Sequence, residues 1–151
     1  MTQPVLEAVN VVKELGKGAG KVLALKGVNL SLVRGELTLL MGPSGSGKTT
    51  LLSILGCILT PTSGTVRVEG EETAGKSAEE LAELRRRHIG FIFQSYNLFP
   101  TLSALENVRI ALDVIGRKGY QAAQRAEECL RDVGLGSRLR NFPSNLSGGE
   151  Q

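Results

Sequence analysis

The chain has 151 residues, enough for one domain with its own core, and its 41% hydrophobic and 22% charged content is ordinary for a soluble globular protein. The balance of 18 Lys+Arg against 15 Asp+Glu leaves +3, too mild to argue for nucleic acid. The longest apolar run, Leu51 to Leu59, is far short of the ~18 residues that cross a bilayer, and MTQPVLEAVN at the N-terminus lacks the basic region and apolar run of a secretory signal.

In chain order, VLEAVNVV alternates and is rich in Val, as a half-buried strand should be. VLALKGVNLSLV reads as a second strand interrupted at Gly27. ELTLLMG, residues 36–42, is a short continuous apolar run that suits a buried parallel strand. It leads into PSGSGKTTLLSILG, a Gly-rich loop followed by apolar residues at helical spacing. SGTVRVEG is a further strand between turn residues. SAEELAELRRR carries a capping box, Ser77 with Glu80, and its Arg85 to Arg87 read as a solvated helix end. HIGFIFQ, residues 88–94, is expected as a buried strand, and SYNLFPT as a loop.

SALENVRIALDVIG opens on a second capping box, Ser103 with Glu106, and sets Leu105, Val108, Leu112 and Ile115 on one helix face. In YQAAQRAEECLRDVGLG the shared face is Ala122, Ala126, Leu130 and Val133, with Gly134 as the C-cap. Cys57 and Cys129 show no paired or metal-ligating spacing and read as buried thiols in a reducing, cytosolic compartment. The whole reads as α/β with a partly parallel sheet: a strand-rich part over 1–94 and a helical part over 95–151.

GPSGSGKT, Gly42 to Thr49, matches G-x-x-x-x-G-K-[ST]. The pattern has a physical cause. Glycines let the backbone bend so that several N–H groups aim inward at phosphate oxygens, and the helix after Gly47 adds the positive end of its dipole. In this reading Gly42, Pro43, Ser44, Gly45, Ser46 and Gly47 form the cradle and Lys48 reaches the β- and γ-phosphates. The Thr49 hydroxyl ligates Mg²⁺, and Thr50 touches the α-phosphate.

LSGGE, near the C-terminal end, places Ser147 at an N-cap, Gly148 and Gly149 in the first turn and Glu150 at the capping-box position. Two successive glycines are poor helix formers. They make sense where an anion must approach bare N–H groups closely.

Together these stretches resemble the ATP-binding cassette (ABC) ATPases: GPSGSGKTT resembles their P-loop, Phe93–Gln94 their Q-loop and LSGGEQ their signature motif, in the family's order over the whole chain. The resemblance implies an incomplete P-loop NTPase fold of ABC type, made of a nucleotide-binding core over 1–94 and a helical subdomain over 95–151. It implies ATP and Mg²⁺ as cofactors and a head-to-tail homodimer in a full-length parent. In that dimer Ser147, Gly148 and Gly149 would contact the γ-phosphate of ATP held by the partner, and Gln94 would ligate Mg²⁺ and sense the γ-phosphate. RRRHIGFIFQSYNLFPTLSALENV and the inserted GKGAGK are similar to ATPases of the lipoprotein-release, macrolide-efflux and peptide-export type. That type implies a transmembrane permease partner whose cytoplasmic helix docks near Gln94 to Asn107. It also implies a position on the inner face of the cell membrane and no nucleic acid.

Two features depart from the family. Leu15 stands where an aromatic residue is expected to stack on adenine, leaving Leu15 or Val22 for apolar contact. The Asp, Glu and His with which the family hydrolyses ATP follow the signature, so this chain by itself is expected to be inactive, marginally stable and aggregation-prone. Its signature helix is expected not to form. Asp113 falls in a helix-periodic run, and His88 reads as structural, so neither is a substitute. The competing readings are a P-loop small-molecule kinase, an ABC ATPase acting on DNA or ribosomes, and an inert truncated fragment.

Overall fold

The computed structural model describes residues 3–151; Met1 and Thr2, which open the stretch read as lacking a secretory signal, lie outside them. The chain divides into two compact units, Met1–Gly90 and Phe91–Gln151, which places Gln94 in the second.

In the first unit, β1 (Leu6–Leu15) and β2 (Val22–Leu32) form a hairpin around a 3-10 turn at Gly18–Gly20. They are followed by α1 (Lys48–Leu55), β3 (Ser63–Val68), the two-residue β4 (Glu71–Glu72) and α2 (Ala78–His88). The sheet order is β2-β1-β3-β4 and every described ladder is antiparallel, where a partly parallel sheet was expected. β1 register shifts between Ala8 and Val11, where Asn10 has φ +49°. This bulge turns both Ala8 and Val11 into the core, although a spacing of three would otherwise set them on opposite faces. Leu51, Ile54 and Leu55, one face of α1, pack on Ala8, Val11, Leu25 and Val66. Burying each such Leu or Ile side chain contributes about 1.5–3 kcal/mol.

The Ser77–Glu80 capping box starts α2 as the sequence predicts: Glu80 N–H donates to Ser77 Oγ at 3.2 Å and Ser77 N–H to Glu80 Oε2 at 2.7 Å. Leu84 is wholly buried against Cys57 and Val68. Arg86 makes two bonds to the Glu83 carboxylate, as a solvated helix end would, and Arg87 pairs with Glu71. Arg85 differs: its guanidinium donates to the Cys57 carbonyl and so ties α2 to the turn after α1.

The two runs expected as buried strands are not strands. Residues 36–42 form no ladder, and Leu37 is 99% exposed. In 88–94, His88 ends α2, the rest is irregular, and Ile92 is 98% exposed. A parallel strand needs neighbours for its main-chain groups and cover on both faces. Among the described residues, neither run is hydrogen-bonded to such a neighbour.

The second unit contains α3 (Ala104–Val114), α4 (Gly119–Asp132) and a 3-10 turn at Pro143–Asn145. Ser103 and Glu106 form the expected capping box. Ala122, Ala126 and Leu130 are buried, but Val133 is 69% exposed. It sits past the last helical residue, where the chain reverses. Gly134 N–H donates to the Arg131 carbonyl and Leu135 N–H to the Leu130 carbonyl, a Schellman end. Leu135 therefore packs by Leu130 in the place Val133 was expected to fill. Ile115, at the C-cap of α3, is likewise exposed while Leu105 and Val108 pack inward. Cys57 is buried as expected, whereas Cys129 is only half-buried.

Candidate functional site

In the first unit, residues 42–47 form a loop that feeds directly into α1, with Gly47 as its N-cap at φ +86°. A side chain cannot stand there: a Cβ on Gly47 would lie 2.5 Å from the Ala24 carbonyl oxygen and 2.9 Å from the Leu25 side chain. β2 thus presses on the loop and sets where the helix begins. Lys48 Nζ turns back over the loop and donates to the carbonyls of Gly42 and Pro43, both at 2.7 Å, and to Ser46 Oγ at 3.4 Å. Pro43 O also accepts from Ser46 N–H at 3.3 Å. The loop is a ring closed on its own ammonium group.

Ser44, Gly45, Ser46 and Thr49 are exposed and Thr50 is half-buried. The first turn of α1 carries no acidic residue, so nothing there competes with an incoming anion for the unpaired N–H groups. Thr49 offers a hard hydroxyl oxygen, the donor type Mg²⁺ takes alongside phosphate oxygens and water. Among the described residues, no group of three or more His, Cys, Asp or Glu could hold a metal unaided. Mg²⁺ therefore fits only together with a phosphate ligand. Leu15 and Val22 are cross-strand partners in the β1–β2 ladder, 39% and 63% exposed, and present a small aliphatic surface.

Gln94, Ser147, Gly148 and Gly149 all belong to the second unit. Gln94 is exposed in a turn. The signature stretch makes a single hydrogen-bonded turn, and no helix is formed there. Glu150 N–H and Gln151 N–H both donate to the Ser147 carbonyl, at 2.9 and 3.1 Å. Ser147 N–H donates to Glu150 Oε2 at 2.8 Å, the reach-back half of a capping box. Gln151 pins the turn by donating from Nε2 to the Pro143 and Leu146 carbonyls. The Glu150 carboxyl is held below its usual range by the Ser147 N–H first, then by the Ser147 hydroxyl and the Arg138 guanidinium. The turn borders an apolar cavity of about 710 Å³ lined by Phe93, Tyr96, Val108, Leu130, Gly148 and Gly149.

Sequence reasoning missed Asn107, whose amide donates to the Leu102 and Ser103 carbonyls while its Oδ1 accepts from Phe99 N–H. This one side chain shapes the loop 99–103. An Asn inside the first turn after a capping Ser was the available signal. The Ala24 contact with the phosphate loop had no local signal at all. Asp113 and His88 belong to no group of three or more His, Cys, Asp or Glu among the described residues.

Comparison with known proteins is consistent with this geometry. A family model described as ABC transporter matches residues 25–151. An uncharacterized ABC transporter ATP-binding protein of Thermotoga maritima is 50% identical over 147 residues, 97% of this chain and 63% of that protein. The macrolide export ATP-binding/permease protein MacB 1 of Aeromonas hydrophila is 47% identical over the whole chain, which covers 23% of it. Among solved structures, the ATP-binding cassette MJ0796, described as dimeric, post-hydrolysis and bound to ADP and Pi, superposes with a TM-score of 0.90 at 42% identity. That match covers 96% of this chain and 64% of the other. The chain thus spans just under two thirds of the first relative and of this structural neighbour.

Proposed function

The chain belongs to the ABC transporter family, and on that premise we propose that it binds MgATP as part of the energising subunit of a membrane exporter. The observation that carries the reading is the ring of Gly42, Pro43 and Ser46 oxygens around Lys48 Nζ. It holds a cation and a helix N-terminus at one point, where a polyphosphate needs both. On binding, Lys48 exchanges carbonyl oxygens for the β- and γ-phosphates, the N–H groups that open α1 take the remaining oxygens, and Thr50 faces the α-phosphate. Thr49, with Gln94 assigned by motif order, would hold Mg²⁺, which would supply positive charge against the phosphates. Leu15 and Val22 give the base apolar contact.

Residues 1–94 then serve as the nucleotide-binding core and 95–151 as the helical subdomain. Two copies meet head to tail, and Ser147, Gly148 and Gly149 of one receive the γ-phosphate held by the other. The solved cassette described as dimeric with ADP and Pi supports that arrangement. The export relatives are ATP-binding/permease proteins by name, and no described helix here is long and apolar enough to cross a membrane. From the names of those relatives we assign the membrane-spanning part to a permease, with this chain on its cytoplasmic side near Gln94 to Asn107.

The test is sedimentation with and without MgATP, alongside a search for a phosphorylated small molecule. Association that requires ATP, and that Ser147→Arg abolishes while ATP still binds, supports the reading. ATP binding without association, accompanied by a phosphorylated product, overturns it in favour of a kinase.

A further inference from the structure

The backbone just after Gln94 is strained. Tyr96 and Asn97 both have positive φ, +58° and +55°. The Asn97 N–H donates to the Ser95 carbonyl at 2.5 Å, closing a γ-turn centred on Tyr96. With positive φ at its centre this is the rare, strained form, and tyrosine tolerates it less well than asparagine. Such a conformation persists only when contacts outside the turn hold it.

The Tyr96 side chain shows where that contact is. A methyl group placed on Gly148 would meet the Tyr96 hydroxyl oxygen at 3.2 Å, tighter than ordinary contact, and both residues border the same cavity. Gly149, the next residue, has nothing within 4 Å of the corresponding position. The two glycines of the signature turn are therefore not equivalent: both are exposed, but only Gly148 has a side-chain atom within 4 Å of its Cβ position. Gly148 is also not among the positive-φ glycines. Its backbone does not demand glycine, so the missing side chain is what matters there. The turn itself is anchored through Glu150 and Gln151, and the Tyr96 hydroxyl is the side-chain atom within 4 Å of the Gly148 Cβ position.

We propose that Tyr96 is a positioning residue for the signature turn: its hydroxyl end rests on Gly148 and couples the turn after Gln94 to the N–H groups of Gly148 and Gly149. Displacing the Gln94 segment displaces that contact, so the two segments move as one. The functional consequence, though not the contact, rests on the reading that this turn receives the partner's γ-phosphate.

Two measurements on the full chain test it. The first needs no nucleotide. Amide NMR should show the Gly148 N–H chemical shift displaced in Tyr96→Ala, because the phenol group beside it is removed. Tyr120→Ala, at the exposed start of α4, should leave it unmoved. A Gly148 amide indifferent to Tyr96→Ala overturns the proposal.

The second measurement reads ATP-driven association. Gly148→Ala should raise the ATP concentration for half-association about tenfold, and adding Tyr96→Phe, which removes the obstructing oxygen, should recover most of that loss. Tyr96→Phe should give no recovery to Gly149→Ala. If Gly148→Ala is equally damaging with Phe or Tyr at 96, glycine serves only anion access and the proposal fails. If the wild type never associates with ATP, the reading of the signature turn is what fails. The Gly148 amide still decides the contact with Tyr96 in that case.

Discussion

Lys48 Nζ donates to the carbonyl oxygen of Gly42 at 2.7 Å, so the ammonium rests inside the loop that opens its own helix. The same group is bonded to Pro43 and Ser46. Phosphate oxygens would replace acceptors already in place, and the lysine need not be recruited from solvent. Lys48→Ala removes both the charge and the tie. Charge-assisted bonds contribute about 1.5–3 kcal/mol each, so ATP affinity is expected to fall about 10- to 150-fold in a calorimetric titration. An unchanged affinity would show that the loop is not the phosphate site.

Gly47→Ala tests the grip of β2 on the loop. The new Cβ would sit 2.5 Å from the Ala24 carbonyl oxygen at a φ of +86°. The strain costs about 1–3 kcal/mol, or roughly 2–12 °C in Tm for a chain of this size, and nucleotide binding should fall with it. Gly45→Ala, where nothing lies within 4 Å of the added Cβ, should cost less despite its own positive φ. Thermal melts of the two variants decide this.

Acid should weaken the fold through the capping carboxylates. Glu80 is held below the ordinary 4.5 by the Ser77 backbone N–H and then the Ser77 hydroxyl. Glu106 is lowered first by the Ser103 hydroxyl and then by the Ser103 backbone N–H. A lowered folded-state value means the unfolded chain binds protons first. The stabilisation is therefore complete above about pH 4.5 and is lost as pH falls through the folded-state values. Glu71, lowered by Lys76, and Glu83, lowered by Arg86, add in the same direction. Denaturant midpoints should be flat near neutrality and fall below that window. The fall should be shallower in Glu106→Gln, which cannot titrate.

The two cysteines should separate in a thiol-reactivity assay. Burial pushes the Cys57 thiol up, and the Arg85 guanidinium only partly offsets it. The less buried Cys129 should label about tenfold faster or more at neutral pH, since reaction requires an accessible thiolate. Equal rates would mean that the region around Cys57, Val68 and Leu84 opens readily.

Much of the site was legible in the sequence because its parts are local. A capping box is four consecutive residues bonding to one another, and Ser77–Glu80, Ser103–Glu106 and the Ser147–Glu150 reach-back all form as their spacing predicts. The phosphate loop is likewise a short segment whose glycines and lysine bond among themselves, and the family followed from these motifs.

Tertiary structure decided what depends on residues far apart in the chain. The apolar run 36–42 has a strand's composition and no ladder, because a strand exists only through a neighbour that its own sequence does not encode. The bulge at Asn10, the approach of Ala24 to Gly47 and the hydroxyl of Tyr96 over Gly148 are likewise products of packing. Periodicity assigned Val133 to a buried face, but the backbone reversal at Gly134 gave that place to Leu135. Sequence by itself determined the family and the local bonding of these motifs, because hydrogen bonds between near neighbours are set by spacing. Only the fold decided which side chains press on them, because packing joins residues that spacing does not relate.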